Sequence, residues 1–94
     1  MYIIIGGAGD AGRALGRLLV NKGHEMAFID KDPNALEKAG RVDSLTVEGN
    51  ISDFRSLLDA GIDNCDFYIG LSKDDNTNLV SCSLANFYGC KTIA

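Results

Sequence analysis

The chain holds one proline, one histidine and no long apolar run, and its acidic residues outnumber its basic ones. A membrane-spanning helix needs about 18 consecutive apolar residues, and nothing here approaches that length. The opening Met1-Tyr2-Ile3-Ile4-Ile5 lacks the basic stretch and small-residue cleavage site of a secretory signal, so it reads as a strand that starts almost at once. Nine Lys and Arg face thirteen Asp and Glu, scattered rather than clustered. That balance argues against nucleic acid as a partner, because phosphate-backbone affinity rests on grouped cations. Cys65, Cys82 and Cys90 are odd in number and form no C-x-x-C. Neither a disulfide framework nor a zinc site is expected; inert thiols in a reducing cytosol fit better. His24 is expected in a loop away from the strands' C-terminal ends, so Ser72, Ser81 and Ser83 have no imidazole to activate them. No group of carboxylates has metal-ligand spacing, and Asp74-Asp75 reads as a helix cap.

Short apolar runs alternate with helical stretches instead. Tyr2–Ile5 is continuous and β-branched, as a strand covered on both faces should be. Asp10 to Lys22 is expected to be helical, with Ala11, Ala14, Leu15, Leu18 and Leu19 on its apolar face and Gly23 as a left-handed stop. Met26–Ile29 forms the second strand. Asp32-Pro33 opens a helix with Leu36 and Ala39 inward, closed at Gly40. Leu45–Val47 is a third strand, closed by Gly49. Ser52 is expected to cap a helix that buries Phe54, Leu57 and Leu58 and ends at Gly61. Phe67–Leu71 makes the fourth strand. Asp74 or Asp75 starts a longer helix through Leu79, Val80, Cys82, Leu84, Ala85 and Phe87, stopped at Gly89, and Thr92–Ala94 begins a fifth strand. Strands alternating with helices give an α/β fold with a parallel sheet. The expected order is 3-2-1-4-5, a Rossmann-like sheet with helices on both faces and its last strands incomplete. Residues 1–94 read as one domain with the C-terminal part of that unit missing.

Eleven glycines against one proline call for local explanations. Gly7-Ala8-Gly9-Asp10-Ala11-Gly12 is G-x-G-x-x-G, placed directly after a strand and opening a helix. Gly7 lets the chain turn out of the strand, Gly9 lets a pyrophosphate approach the backbone, and Gly12 lets the helix pack on the sheet. The free N–H groups and dipole of the helix start favour an anion there. Asp30 ends the second strand eighteen residues after Gly12. A carboxylate about 20 residues on holds the adenosine ribose hydroxyls in this class of site and disfavours a 2′-phosphate. Lys31 beside it pulls the other way. Asp10 suits the helix start but would face bound phosphates, and Arg13 one turn along either offsets it, binds phosphate itself or lies in solvent.

Tyr2-Ile3-Ile4-Ile5-Gly6-Gly7-Ala8-Gly9, Asn21-Lys22-Gly23-His24-Glu25, Ile29-Asp30-Lys31-Asp32 and Val47-Glu48-Gly49-Asn50 make the sequence resemble the TrkA N-terminal (KTN, or RCK) domain. Asp59-Ala60-Gly61-Ile62, Cys65-Asp66 and Thr92-Ile93-Ala94 extend the likeness over nearly the whole chain, and Leu71-Ser72-Lys73-Asp74-Asp75-Asn76-Thr77-Asn78-Leu79 is its most specific part. The resemblance implies a cytoplasmic, non-catalytic regulatory domain of potassium uptake systems or channels. It implies NAD(H) as ligand, or ATP, ADP or AMP, and a homo-oligomer joined to a membrane transporter or channel subunit. Gly7, Ala8, Gly9, Asp10, Ala11 and Gly12 would line the diphosphate. Asp30 and Lys31 would lie at the adenosine ribose, and Gly49, Asn50 and Ile51 would flank the adenine. Ser72 and Lys73 would sit near the phosphates or second ribose. The sequence departs from the family at Asp10, where Arg, Asn or Gln is usual, and it ends before the Arg that follows the fifth strand. Two other readings compete with the sensor: the cofactor half of an NAD-dependent oxidoreductase, and a domain that only mediates assembly.

Overall fold

The computed structural model describes residues 1–94 and gathers five strands into one sheet. The strands are β1 (Tyr2–Gly6), β2 (Glu25–Asp30), β3 (Leu45–Glu48), β4 (Phe67–Gly70) and β5 (Lys91–Ile93). All pairings are parallel and the order is β3-β2-β1-β4-β5, as expected. In β1, Ile4 pairs with Ala27 on one side and Tyr68 on the other. Side chains alternate across a strand, so the Ile3-Ile4-Ile5 run feeds both faces. Ile3 and Ile5 join Met26 and Phe28 in one core, whereas Ile4 joins Ala27, Ile29 and Tyr68 in the other.

Helices cover each face. α1 (Asp10–Asn21) and α2 (Pro33–Ala39) pack over the Ile3–Phe28 side, and α3 (Phe54–Asp59) and α4 (Asp75–Phe87) cover the Ile4–Tyr68 side. α2 starts as read: the Asp32 side chain accepts from the Asn34 amide, and Pro33 stands at the first helical position. A single 3-10 turn, Ile62–Asn64, precedes β4 and had no counterpart in the sequence reading; it buries Ile62.

Three helices are rotated or capped differently from expectation. In α1 the buried residues are Gly12 and Gly16, with Leu15, Leu19 and Val20 half-buried, while Ala11, Ala14 and Leu18 face out. A Cβ at Gly12 would lie 2.2 Å from the Gly7 carbonyl oxygen, and one at Gly16 would lie 2.4 Å from the Phe28 ring. The helix backbone itself therefore touches the sheet, and the glycines are the inward face. In α3 the cap is Asp53, which accepts from the Arg55 amide; the Ser52 hydroxyl is engaged with Asn50. Residues advance about 100° apiece around a helix. With Ser56, Leu57 and Ala60 turned inward, Phe54 and Leu58 fall on the far side, 49% and 38% exposed. In α4 the inward face is Asn78, Ser81, Cys82 and Ala85, and Leu79, Val80 and Phe87 point outward.

Candidate functional site

The strand order reverses between β1 and β4, and ligands of open parallel sheets bind outside the strands' C-terminal ends at that point. A cleft of about 490 Å³ lies there. Ten of the thirteen residues named from the sequence line it: Gly7, Gly9, Asp10, Asp30, Lys31, Gly49, Asn50, Ile51, Ser72 and Lys73. Ala8, Ala11 and Gly12 stand outside the lining. Ala8 is fully buried, Gly12 is pressed on Gly7, and Ala11 is exposed.

The glycine corner is built as its sequence suggests. Gly7 sits at φ 120, a conformation that side-chain-bearing residues rarely adopt, and its amide donates to Ile29 O at 2.8 Å. A Cβ there would also strike the backbone of Leu71 and Ser72. Gly9 differs. Its φ of −74 is ordinary, and a Cβ added to it would meet nothing within 4 Å. The protein alone gives no reason for glycine at this position; the space in front of it is open to the cleft. Gly9 caps α1, and the amides of Gly9, Asp10, Ala11 and Gly12 enter no intrachain hydrogen bond, as at any helix start. Of these, Gly9 and Asp10 line the cleft, where free donors beside open space suit an oxyanion.

Asp30 reaches across from β2. One carboxylate oxygen accepts from the Ala8 amide at 2.8 Å and the other from the Asp32 amide at 2.9 Å. Its side chain thus holds the glycine loop and the entry to α2 at fixed distance. Each carboxylate oxygen has two lone pairs, so both keep acceptor capacity toward the cleft. The Asp30 carbonyl meanwhile accepts from the Gly49 amide, tying in the β3 loop. A side chain at Gly49 would run into Ser56.

The opposite wall follows β4. Asn78, buried on α4, accepts from the Ser72 amide at 2.9 Å and from the Ser72 hydroxyl at 2.7 Å, and donates to the Ser72 carbonyl at 3.0 Å. Three bonds from one amide side chain fix the loop that carries Ser72 and Lys73. Asn78 is the positioning residue that sequence reasoning missed, although it sat in the most specific segment; its place six residues after Ser72, one turn inside a helix, was the available signal. Asp74 caps α4 through the Asn76 and Thr77 amides. The Thr77 hydroxyl and then those amides hold its carboxyl below the ordinary aspartate range.

Charge in the lining is balanced, with Asp10, Asp30, Asp32 and Asp74 against Arg13, Lys31, Lys38 and Lys73. No histidine, cysteine or tyrosine lines the cleft. His24 lies at the other end of the sheet, its Nδ1 3.2 Å from the Met1 amino group. The thiols are interior groups: burial raises Cys65 and Cys82, and burial with the neighbouring Cys65 pushes Cys90 up to about 12. Such thiols stay protonated and unreactive. No helix is long and apolar enough to cross a membrane, and no group of His, Cys, Asp and Glu is arranged to hold a metal ion.

Residues 3–94 match the TrkA-N domain family. The chain is 33% identical over 94 residues to a Trk system potassium uptake protein TrkA homolog of Methanothermobacter thermautotrophicus, covering 99% of this chain and 44% of that protein. It is 38% identical over 86 residues to the TrkA homolog of Pyrococcus abyssi, covering 90% of this chain and 38% of that one. The chain therefore spans less than half the length of these relatives. Among solved structures, the Kef CTD of Shewanella denitrificans in its AMP-bound form superposes with a TM-score of 0.83 at 22% identity, covering 98% of this chain and 57% of that one. N5-carboxyaminoimidazole ribonucleotide synthetase of Thermus thermophilus, an enzyme, superposes at 0.76 with 23% identity, covering 96% and 23%. At those identities the structural likeness speaks for the fold alone. The sequence match is the stronger finding, and by it the chain belongs to the TrkA-N domain family.

Proposed function

We propose that this chain is a non-catalytic, nucleotide-binding regulatory domain that controls potassium transport. Its ligand is NAD(H) by preference, with ATP, ADP and AMP as alternatives. It works at the cytoplasmic side of the membrane as a homo-oligomer bound to a transporter or channel subunit, and its 94 residues act as one nucleotide-binding unit. The potassium link rests on the relatives, which are named Trk system potassium uptake proteins. The nucleotide link rests on the cleft. Diphosphate lies against the free amides at the start of α1, beside Gly9 and Asp10, the adenosine diol takes the spare lone pairs of Asp30, and adenine lies by Gly49, Asn50 and Ile51. Ser72 and Lys73 face the phosphates or second ribose. Because Asn78 ties Ser72 to the first turn of α4, a ligand that moves Ser72 also moves α4. An assignment without catalysis is supported by a lining that lacks the histidine, cysteine or tyrosine most suited to proton transfer beside a nicotinamide.

The observation that carries this reading is Gly9, whose missing side chain leaves open space that no part of the chain uses. Gly9→Ala and Gly12→Ala separate binding from folding. Gly9→Ala leaves stability within about 1 kcal/mol, because its backbone suits any residue and its Cβ meets nothing. Its affinity for NADH and ADP falls at least tenfold, read by isothermal calorimetry. Gly12→Ala instead destabilises the fold by about 1–3 kcal/mol through overpacking. Undiminished nucleotide affinity in Gly9→Ala would overturn the placement of the diphosphate.

A further inference from the structure

One charged pair on the cleft wall is left over once the ligand groups are assigned. Arg13, on the first turn of α1, has a side chain only 13% exposed. Its Nη1 donates to the Ala8 carbonyl at 2.7 Å, and its Nη2 meets the Asp10 carboxylate at 2.5 Å. Asp10 is 99% exposed at the other end of the same pair. Both residues line the cleft beside Gly9. A guanidinium has five N–H donors, so two are engaged and three remain. The Ala8 contact is to backbone and keeps the group anchored at the glycine corner. The Asp10 contact is to a solvated side chain that gives way at small cost, because exposed ion pairs contribute little.

We propose that Asp10 is an internal competitor for Arg13, so that phosphate binding is an exchange of one anion for another on the same guanidinium. This rests on the nucleotide-binding reading above and specifies how that site selects among ligands. With no phosphate in the cleft, Arg13 is held by Asp10. A phosphoryl group beside Gly9 takes over the guanidinium, which recognises phosphate oxygens through paired N–H bonds. Asp10 is then displaced and stays close to the new anion. Its carboxylate disfavours each added phosphate charge, while Arg13 favours at least one. The site is therefore tuned toward ligands of low phosphate charge, and a neutral nucleoside is indifferent to the pair.

Calorimetric titration of adenosine, AMP, ADP, ATP and NADH into the 94-residue chain, Asp10→Asn, Arg13→Gln and the double variant tests this. Circular dichroism melts accompany each protein, and Arg13→Lys serves as a second variant should Arg13→Gln fold poorly. Asp10→Asn is expected to tighten ADP and NADH about tenfold and ATP more, AMP less, and to leave adenosine within about twofold. Arg13→Gln is expected to weaken every phosphorylated ligand and to cut the gain from Asp10→Asn to the smaller part due to direct repulsion, since contacting groups are not additive. Arg13→Lys keeps the charge without the planar fork and falls between. Several results overturn the exchange: ADP affinity unchanged by Asp10→Asn, an equal gain in both Arg13 backgrounds, or a parallel gain for adenosine. If no protein binds any of the five ligands, the nucleotide-binding reading itself falls, and the exchange with it.

Discussion

At the scale of single residues, the informative positions are those where a side chain does something other than fill space. Asp30 was legible as a carboxylate at the end of a strand, but its second task was not. It braces the loop through the Ala8 and Asp32 amides, and no spacing rule distinguishes a brace from a ribose contact. Asp10 and Arg13 were visible as opposite charges one turn apart, yet only the fold reveals that Arg13 is buried against Ala8. Tyr68 is the plainest case of a residue that sequence underrates. It reads as one more aromatic in an apolar strand, and it is fully buried with a hydroxyl that has no hydrogen-bond partner. Burial pushes its phenol far above the ordinary range, the nearby Ser81 hydroxyl offsetting only part. The same hydroxyl lies where a side chain at Gly6 would be, 2.0 Å from an added Cβ. An unsatisfied buried hydroxyl costs about 1–3 kcal/mol. Tyr68→Phe is therefore expected to raise stability by about 1 kcal/mol in urea denaturation, with an unchanged dependence on denaturant concentration. A loss of similar size would mean that the hydroxyl has a partner, such as a buried water.

At the scale of elements, the strands were legible and the helix faces only in part. Ile3-Ile4-Ile5 and Met26-Ala27-Phe28-Ile29 are buried on both sides of a sheet, so an uninterrupted apolar run is itself the signal. Helix orientation depends on which side approaches closely, and close approach favours small residues. Gly12 and Gly16 in α1, and Asn78 and Ser81 in α4, are inward residues the apolar pattern did not name. It did find Leu15, Leu19, Cys82, Leu84 and Ala85, which meet the cores, and wrongly turned Ala11, Ala14, Leu18, Leu79, Val80 and Phe87 inward. The caps were half legible. Asp32 and Asp74 cap as read, whereas α3 is capped by Asp53 in place of Ser52, whose hydroxyl donates to Asn50. The Asp74 cap also carries a pH dependence. Its carboxyl is more acidic folded than unfolded, held down by the Thr77 hydroxyl and by the Thr77 and Asn76 amides. Its contribution is fully present above the unfolded aspartate value and is lost as pH falls through the lower folded value. Asp74→Ala is thus expected to melt below the wild type at pH 7, and the gap should close as pH falls below the ordinary aspartate range. A gap that stays constant through that fall would remove the carboxylate from the stability of α4.

At the scale of the whole molecule, sheet order was the most legible feature of all. Regular alternation of strand and helix leaves few topologies once crossovers are restricted, and the observed β3-β2-β1-β4-β5 order is the one expected. The cleft was legible in part from the residues themselves, because two βα loops carried their own signals, at Gly7 and Asp30. Its other sides, the stretch Gly49–Ile51 and the pair Ser72 and Lys73, came from family resemblance alone. A ligand bound in such a cleft stabilises the folded chain as a unit. Nucleotide at a hundred times its dissociation constant adds about 2.7 kcal/mol. For a domain of this size that corresponds to a rise in melting temperature on the order of 10–20 °C. NADH, ADP or AMP should produce such a rise, and a flat response to all of them would leave only an assembly role. The cleft walls are drawn from positions as far apart as Gly7 and Thr77. During synthesis, then, the glycine corner and Asp30 emerge first, and the Ser72 wall with its Asn78 clamp follows only after β3 and α3. A nascent chain cannot close this cavity until the first turns of α4 have followed β4, so nucleotide capture would wait for that helix rather than guide the pairing of β1 with β2.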